Sequence, residues 1–475
     1  MLTLENLGND MSYALSFMVT KFKEKGVWYL YNWLNEENVS IEDERHPLYI
    51  ALEEKTNRIK YFDVNGSMED FSFLRDAHFL VRDDKEVREI VEKKFAEIND
   101  PSDVGIVLMP VNQACNFRCI YCHQDHGASE RMGEREKETI LRFIKKLNPL
   151  KLRVDYFGGE PLLNSGFMID FNETLKLISK DAPFYLSSSS VTTNGYLLTK
   201  SLFVELLKAK ITTFQITIDG PRRFHDKLRP LATGEGTFDT IYGNLMDISS
   251  LDRSHKFSVT IRMNFYGESS KAEYLKEFID KLTSDFGDDE RFVFMAQQIS
   301  NWSNDTLNKN IYLEEKDGTR RQIKIEQKIE KAGMNSVSMV NLTGPESSHC
   351  YSSKPNFFVL YPYPDKNAKS LLVQKCTLCV SNPINNVGWI RSDGSLEANT
   401  NIDIWTKGSL FDEKKCRSCF FVLSCFGKSC GLRNYEKGKI VCPKEKQQEV
   451  MLVKRILGFI ERDVIKRSIN LEHKS

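Results

Sequence analysis

The run QACNFRCIYCHQ at residues 113–124 follows the apolar stretch GIVLMP at residues 105–110. It places Cys115, Cys119 and Cys122 at the spacing C-x3-C-x2-C. Cysteine thiolates are the usual ligands of iron–sulfur clusters. Three of them leave one iron of a four-iron cluster open to another molecule. Cysteine is also a common core residue, but this spacing, together with the motifs that follow it, favours a cluster site.

The composition is that of a globular protein with several domains. At 475 residues the chain exceeds one compact core, so about two to four domains are expected. Lys+Arg and Asp+Glu both number 66, which gives no electrostatic reason to expect nucleic acid as a substrate. The start shows no secretory signal, and no apolar run approaches the roughly 18–20 residues that span a bilayer. We therefore expect a cytoplasmic protein whose eleven cysteines serve metal binding or redox chemistry.

Residues 101–300 alternate β-rich runs with amphipathic helical stretches, a pattern typical of βα units around a parallel sheet. The pattern predicts an α/β fold, a partial (β/α)6 TIM-like barrel. Strands are predicted at 105–110, 152–158, 184–194, 212–219, 256–265 and 291–299, and helices near 134–147, 198–209, 237–250 and 270–285.

The flanking regions differ in composition from this block. Residues 1–100 lack cysteine and mix strand and helix candidates, with a strand or wing at 71–84 and a charged helix at 85–98. Polar residues 301–345 read as a connector with one helix. Residues 346–447 hold the other eight cysteines, and 448–475 form an amphipathic terminal helix at 449–465 and a tail.

A second motif, FGGEPLL at residues 157–163, follows the cysteine run. Together the two motifs resemble those of radical S-adenosylmethionine (radical SAM) enzymes, including the aromatic Tyr121 before the third cysteine. The resemblance implies that SAM chelates the open iron. An electron from a reduced flavodoxin or ferredoxin then cleaves SAM to methionine and a 5′-deoxyadenosyl radical, and the protein positions and shields this cofactor chemistry. The residues expected to contact SAM are Tyr121, Gly158, Gly159, Glu160, Thr193, Asn194, Thr217 and Arg262.

Other polar residues near these motifs have no assigned role. The charged loop GPRRFHDKLRP at residues 220–230 either contacts SAM or pairs internally. His123, Asp125 and His126 either face the substrate or tune the cluster, or they cap the following helix or meet solvent. No general base is identifiable, so the residues that act directly on the substrate are unknown.

The run CRSCFFVLSCFGKSC at residues 416–430 resembles the SPASM domain, which carries two auxiliary four-iron clusters in peptide-modifying radical SAM enzymes. Its last gap is one residue longer than in the family, and Leu371 stands where the family tends to have glycine. The resemblance implies a distal cluster on Cys416, Cys419, Cys425 and Cys442 and a proximal cluster on Cys350, Cys376, Cys379 and Cys430. Two structural zinc sites would use the same eight cysteines.

The resemblance implies a maturase of ribosomally made peptides. It would install a thioether, carbon–carbon or carbon–oxygen crosslink in a precursor peptide, or epimerise its residues. Residues 1–100 resemble the winged-helix-like domain that captures a leader peptide along a sheet edge. The alternatives are sulfatase maturation, a pterin-forming enzyme, and a non-enzymatic iron–sulfur or peptide-binding protein. Val380 stands where sulfatase-maturating enzymes tend to place an aspartate base. The precursor, the bond formed and the fate of SAM are not encoded in recognisable residues.

Overall fold

Residues 12–98 form two small sheets and three helices. The computed structural model describes residues 12–55, 58–60, 68–124, 126–127, 130–180, 184–300, 315–337, 350–364, 367–407, 410–427, 429–460 and 467–468. The first elements are β1 (Ser12–Leu15), β2 (Val19–Glu24), β3 (Val27–Asn32), β4 (Asn38–Ile41), α1 (Pro47–Glu53), β5 (Arg58–Lys60), α2 (Met68–Asp76), β6 (Leu80–Val81) and α3 (Asp84–Ile98). Strands β2, β3 and β4 form an antiparallel meander, and β1 pairs with β5 and β6.

The expected strand or wing at 71–84 is wrong over its first half. Residues 71–76 belong to α2, and the strand is limited to Leu80–Val81. Phe71 and Leu74, three residues apart, are both buried in one apolar cluster, which is the spacing of one helical face. The helix expected at 85–98 is confirmed as α3. The winged-helix-like character of the region stays a prediction.

All six strands predicted for the central block are present, and each pairs in parallel with its neighbour in the chain. Helices α5 and α7 were not predicted. The elements are β7 (Asp103–Leu108), α4 (Glu134–Leu147), β8 (Lys151–Tyr156), α5 (Ser165–Ile178), β9 (Tyr185–Thr193), α6 (Lys200–Lys208), β10 (Ile211–Thr217), α7 (Arg222–Leu228), α8 (Phe238–Ser249), β11 (Ser258–Phe265), α9 (Ala272–Phe286), β12 (Phe292–Gln298) and α10 (Glu315–Lys331).

The cysteine-rich region continues the same sheet. The remaining elements are β13 (Phe357–Leu360), β14 (Ser370–Gln374), β15 (Asn386–Arg391), β16 (Leu396–Ala398), α11 (Ile402–Thr406), α12 (Val422–Cys425), α13 (Gly431–Lys437), α14 (Glu449–Ile460) and β17 (Arg467–Ser468). The strand order is β12-β11-β10-β9-β8-β7-β13-β14-β15-β16. Strand β13 is parallel to β7, and the next three pairings are antiparallel. The α/β fold is thus confirmed, whereas the size of the barrel stays a prediction because β13 extends the parallel run.

The two faces of the parallel run differ in chemistry. Ile106, Val154, Phe214 and Ile261 on one face belong to a single buried apolar cluster with residues of the covering helices. On β9, β10 and β11 the opposite face carries the polar, partly exposed residues Thr192, Gln215 and Thr260, whereas on β7 it carries Val107 of a second apolar cluster. Because ligands gather at the carboxyl ends of parallel strands, this polar face and the loops above it are where a site is expected.

The helices predicted in the connector and at the end of the chain are both present. Helix α10 is the one helix expected in the connector, and residues 301–314 and 338–345 lie outside the described residues. Helix α14 begins at Glu449, the first residue of the predicted terminal helix, and is described to Ile460. Among the described helices, none has the length and apolar character that crossing a bilayer requires.

Candidate active site and cysteine clusters

The loop that carries Cys115, Cys119 and Cys122 begins just after β7 and packs against the GGE segment that follows β8. Gly159 N and Glu160 N donate to Asn112 O and Ala114 O at 3.3 and 2.8 Å. A Cβ on Gly159 would lie 2.0 Å from Ala114 O, and Gly158 has φ +136°. The sequence predicted that these glycines let the backbone approach a ligand. The described contacts bring this backbone against the cysteine loop, where a side chain would not fit, and the contact with a ligand stays a prediction.

Glu160 is completely buried, and its carboxylate joins its own segment to the end of β9. Its Oε1 accepts hydrogen bonds from Thr193 Oγ1 at 2.7 Å and Leu162 N at 2.9 Å. Its Oε2 accepts from Asn194 N at 2.7 Å. Burial raises the pKa of Glu160, and these three donors oppose the shift. Each carboxylate oxygen accepts about two hydrogen bonds, so Oε2 retains room for one further donor.

The amide of Asn194 reaches the cysteine loop. Its Nδ2 donates to Asn116 Oδ1 at 2.8 Å and lies 4.0 Å from Cys115 Sγ. Thr193 and Asn194 were both predicted to contact a ligand. In the structure Thr193 holds Glu160, whereas Asn194 borders the first cysteine.

Tyr121 lies at the centre of a buried polar network. Its hydroxyl donates to Asp219 Oδ2 and accepts from Arg229 Nη1 at 2.8 Å and Asn264 Nδ2 at 3.1 Å. Asp219 Oδ1 accepts from the backbone N–H of Asn264 at 2.8 Å. Sequence reasoning did not single out Asp219 or Asn264. The available signal was their position at the carboxyl ends of β10 and β11, where site residues of parallel sheets collect.

Arg262 and Thr217 lie beside this network in adjacent strands. They face each other in the register of β10 and β11, and Arg262 Nε donates to Asn264 Oδ1 at 2.9 Å. Burial lowers the pKa of Arg262, and Tyr121 and Asp219 oppose the shift. The structure therefore brings both predicted residues to the same end of the sheet as the cysteine loop.

The proximal set of cysteines comes together near the end of β14. Burial raises the pKa of the Cys430 thiol, and Cys350 and Cys376 raise it further because their charges would repel. The pKa of Cys376 is raised first by its hydrogen bond with Cys379 and then by burial. Four cysteines from three separate segments thus lie within interaction distance of one another.

His123 connects the first cysteine loop with this proximal set. Its Nε2 lies 3.2 Å from Thr377 O, between Cys376 and Cys379. Since a carbonyl oxygen only accepts, Nε2 carries the proton in this contact. Thr377 N donates to the Tyr351 hydroxyl at 3.1 Å. In this contact His123 binds the loop between Cys376 and Cys379 rather than capping a helix.

The distal set surrounds α12. Burial raises the pKa of Cys425 to about 12, and Cys419, Cys416 and Cys442 contribute to the rise. Cys419 and Cys425 belong to an apolar cluster that also contains Trp33 and Val87 of the N-terminal region. Each cysteine of a four-iron cluster binds a different iron, so cluster ligands need not meet at one point. In the described part of the chain, no three His, Cys, Asp or Glu side chains are placed to hold one metal ion together.

Part of the chain is similar to known proteins. Residues 109–281 match the family model of the Radical SAM superfamily. The chain is 26% identical over 195 residues to the serine-type anaerobic sulfatase-maturating enzyme of Klebsiella aerogenes, a match covering 40% of this chain and 46% of that protein. It is 23% identical over 193 residues to the radical SAM cyclopropyl synthase TigE of Paramaledivibacter caminithermalis, covering 36% of this chain and 39% of that protein. The matches thus span less than half the length of both relatives.

A solved structure shares the fold over a longer stretch. Native anSMEcpe with bound AdoMet and Kp18Cys peptide superposes with a TM-score of 0.54 at 18% identity, covering 75% of this chain and 97% of that chain. At this identity the likeness shows the fold alone. The structural similarity extends beyond residues 109–281, the range that matches the Radical SAM family model, because 75% of the chain is longer than that range.

Proposed function

We propose that the protein, whose residues 109–281 match the Radical SAM superfamily, is a radical SAM enzyme that matures a ribosomally made precursor peptide. Cys115, Cys119 and Cys122 would hold the four-iron cluster to which SAM binds. When bound, this pair of cofactors supplies a 5′-deoxyadenosyl radical that abstracts hydrogen from unactivated carbon. The enzyme would use it to install a thioether, carbon–carbon or carbon–oxygen crosslink or to epimerise residues.

The residues around the cysteine loop fit the two cofactors. Glu160 Oε2 can accept one more donor, as the amino group of SAM would supply, beyond its bond from Asn194 N. Arg262 and Thr217 lie at the adjoining strand ends and would contact the rest of SAM, as would Gly158 and Tyr121. These groups would orient SAM and keep water from the radical, while a reduced flavodoxin or ferredoxin would supply the electron.

The remaining eight cysteines support two auxiliary clusters. They fall into the proximal and distal sets that the SPASM resemblance implies, and with the first three they use all eleven cysteines of the chain. Electrostatic interactions link Cys350, Cys376 and Cys430 and, separately, the four distal cysteines. Iron near twelve atoms per chain is expected for three clusters, whereas iron near four with two zincs would contradict this assignment.

The observation that carries the peptide proposal is the packing of the N-terminal region on the distal cysteines. Trp33 is buried, and its ring centroid lies 5.5 Å from that of Phe420, next to Cys419. Arg88 Nε donates to Arg417 O at 3.0 Å. A leader peptide added to a sheet edge of this region would be held on the side of the protein that carries the distal set.

Co-expression with a candidate precursor, sought as a short open reading frame beside the gene, followed by mass measurement, tests the proposal. A loss of two hydrogens indicates a crosslink. An unchanged mass in ordinary water, together with the gain of a deuterium when the reaction is run in heavy water, indicates epimerisation. The variant Cys115→Ala/Cys119→Ala/Cys122→Ala should form no 5′-deoxyadenosine. An unmodified precursor in the presence of SAM cleavage would contradict peptide maturation.

Sulfatase maturation is the second candidate, because the similarity to a sulfatase-maturating enzyme covers 40% of this chain. Val380 takes the place of the aspartate that the resemblance leads us to expect as a base. A synthetic sulfatase peptide incubated with the enzyme and SAM distinguishes the two functions. Conversion of its serine or cysteine to an aldehyde that reacts with a hydrazide probe would establish sulfatase maturation.

A further inference from the structure

Arg229 lies directly opposite Cys119 in a backbone pairing that the cysteine motif does not reveal. Arg118 N donates to Pro230 O at 2.9 Å, and Ile120 N donates to Leu228 O at 3.0 Å. These two bonds flank the Cys119–Arg229 pair on either side. The segment after α7 therefore runs along the cysteine loop in a fixed register.

The guanidinium of Arg229 is buried and incompletely hydrogen-bonded. Its Nη1 donates to the Tyr121 hydroxyl at 2.8 Å, its carbon Cζ lies 5.6 Å from the Phe117 ring centroid, and the residue as a whole is 6% exposed. Its Nε is buried with no hydrogen-bond partner among the described atoms. A buried cationic donor without an acceptor is costly, which points to an acceptor that binds with a cofactor.

The backbone on both sides of Arg229 is held in place. Arg229 N donates to His225 O at 2.8 Å, and Arg229 O accepts from Thr237 Oγ1 at 2.7 Å. Thr237 Oγ1 also lies 3.0 Å from His225 Nε2, and His225 Nδ1 accepts from Asp219 N at 3.1 Å. The guanidinium is thus positioned before any cofactor binds.

The cation of Arg229 interacts electrostatically with the cysteine loop and with two buried carboxyl groups. On the loop its partners are Cys115, Cys119 and Cys122. The carboxyl groups are those of Asp219 and Glu160. Asp219, whose raised pKa Arg229 opposes, is shared with Tyr121. Arg262 is a second cation nearby.

We propose that Arg229 is a positioning residue that donates toward the cluster held by Cys115, Cys119 and Cys122 and compensates the charge of its reduced form. This rests on the proposed function, in which those cysteines hold a four-iron cluster. Reduction adds one electron from the carrier protein to the cluster, and no bond is formed or broken in that step. A fixed buried cation favours the reduced form over the oxidised form, since Coulomb attraction is strong in a low-dielectric site.

The midpoint potential of the cluster tests this role without SAM and without turnover. Arg229→Met, Arg229→Gln and Arg229→Lys are compared with the wild type and with Arg222→Met, whose guanidinium is exposed and bound to Asp239. The clusters are titrated with dithionite, and their reduction is monitored by electron paramagnetic resonance. Subtracting the spectrum of the triple cysteine variant isolates the signal of this cluster. Arg229→Met and Arg229→Gln should reduce at least tenfold less cluster at a given potential, a shift of at least about 59 mV to lower potential. Arg229→Lys should shift less, and Arg222→Met not at all.

An unchanged midpoint potential in Arg229→Met or Arg229→Gln protein that contains the cluster would overturn the proposal. A change confined to the affinity for SAM would overturn it as well. If none of the three variants retains this cluster, a wild-type thermal midpoint of the protein supports the role in holding the cluster. A lowered midpoint would instead assign Arg229 to folding. If the wild type itself shows no signal from this cluster, the proposed cluster is contradicted. That outcome overturns the proposed function and is distinct from an unchanged potential in the Arg229 variants.

Discussion

At the scale of single residues, space and hydrogen bonding decide what the motif residues do. Gly159 is required because Ala114 O occupies the place of its Cβ, 2.0 Å away. Glu160 is held by three donors from two segments, its own and the end of β9, so its carboxylate organises the site. The cofactor motif is therefore also a structural motif, and a substitution in it affects folding as well as binding.

Gly159→Ala should cost about 3 kcal/mol of unfolding free energy, because backbone atoms cannot move aside as a side chain can. It should also lower the iron content, since the displaced segment carries Cys115. Gly166→Ala is the control, because a Cβ there meets nothing within 4 Å and alanine favours a helix by about 0.5–1 kcal/mol. Urea unfolding and iron analysis measure both effects, and equal losses in the two variants would contradict the steric argument.

The burial of His225 predicts that the stability of the protein depends on pH. Its side chain is fully buried, and burial, followed by the charge of Arg229, holds its pKa well below the ordinary value of 6.5. The unfolded chain takes up a proton below about pH 6.5 that the folded chain does not. The stabilisation is therefore complete above this pH and falls as the pH falls, by up to about 1.4 kcal/mol per pH unit.

Between pH 7.5 and 5.5, His225→Asn should lose about 1 kcal/mol less unfolding free energy than the wild type. Urea unfolding at both pH values measures the difference. His255→Asn, at a partly exposed surface position, should keep the wild-type dependence. The same fall in all three proteins would assign the dependence to other groups.

At the scale of secondary-structure elements, the connector helix and the terminal helix are joined by buried charge. Arg455 of α14 contacts Glu326 at 2.5 Å and Glu330 at 2.7 Å, both on α10. Arg455 and Glu326 are nearly inaccessible to solvent. The sequence marked each helix by its amphipathic pattern, but it carried no sign that the two are partners.

Arg455→Met should cost about 3–5 kcal/mol, because it leaves the buried Glu326 and the partly buried Glu330 without their cation. Lys454→Met is the matched control, since the adjacent Lys454 pairs with Glu24 at 2.9 Å with both side chains about half exposed. That change should cost less than about 1 kcal/mol. Thermal unfolding compares the two, and adding Glu326→Gln should recover part of the loss in the first variant.

At the scale of the whole molecule, one apolar core joins distant parts of the chain. It contains Met18 and Trp33 of the N-terminal region, Cys419 and Cys425 of the distal set, and Leu452 of α14. Burying these side chains together contributes about 1.5–3 kcal/mol each. The packing of the N-terminal region is therefore coupled to the structure of the segment that carries Cys419 and Cys425.

Cys416→Ala/Cys442→Ala should lose about four irons of twelve and speed amide hydrogen exchange in α3. Cys350→Ala/Cys376→Ala should lose the same amount of iron and leave α3 protected, because the proximal cysteines lie outside this core. Hydrogen exchange followed by mass spectrometry, alongside iron analysis, measures both. Equal exchange in the two variants would exclude the coupling.

The sequence by itself determined the six central strands and the resemblance to radical SAM enzymes. The strands follow from period-two and period-3.6 patterns. The resemblance depends on two motifs of a few residues, and residues 109–281 match the Radical SAM superfamily. The division of the other eight cysteines into a proximal and a distal set stays a prediction from short cysteine intervals. The error at 71–84 also had a local cause, because Phe71 and Leu74 fit the spacing of a helix as well as an apolar strand run.

Only the tertiary structure decided what is brought together across the chain. It placed Arg229 opposite Cys119, Asp219 on Tyr121, and Trp33 against the distal loop, at sequence separations of 110, 98 and more than 380 residues. Such contacts depend on strand order and on the registers of separate segments, which local patterns do not specify. The cysteine run thus identified the chemistry, and the fold selected the residues that surround it.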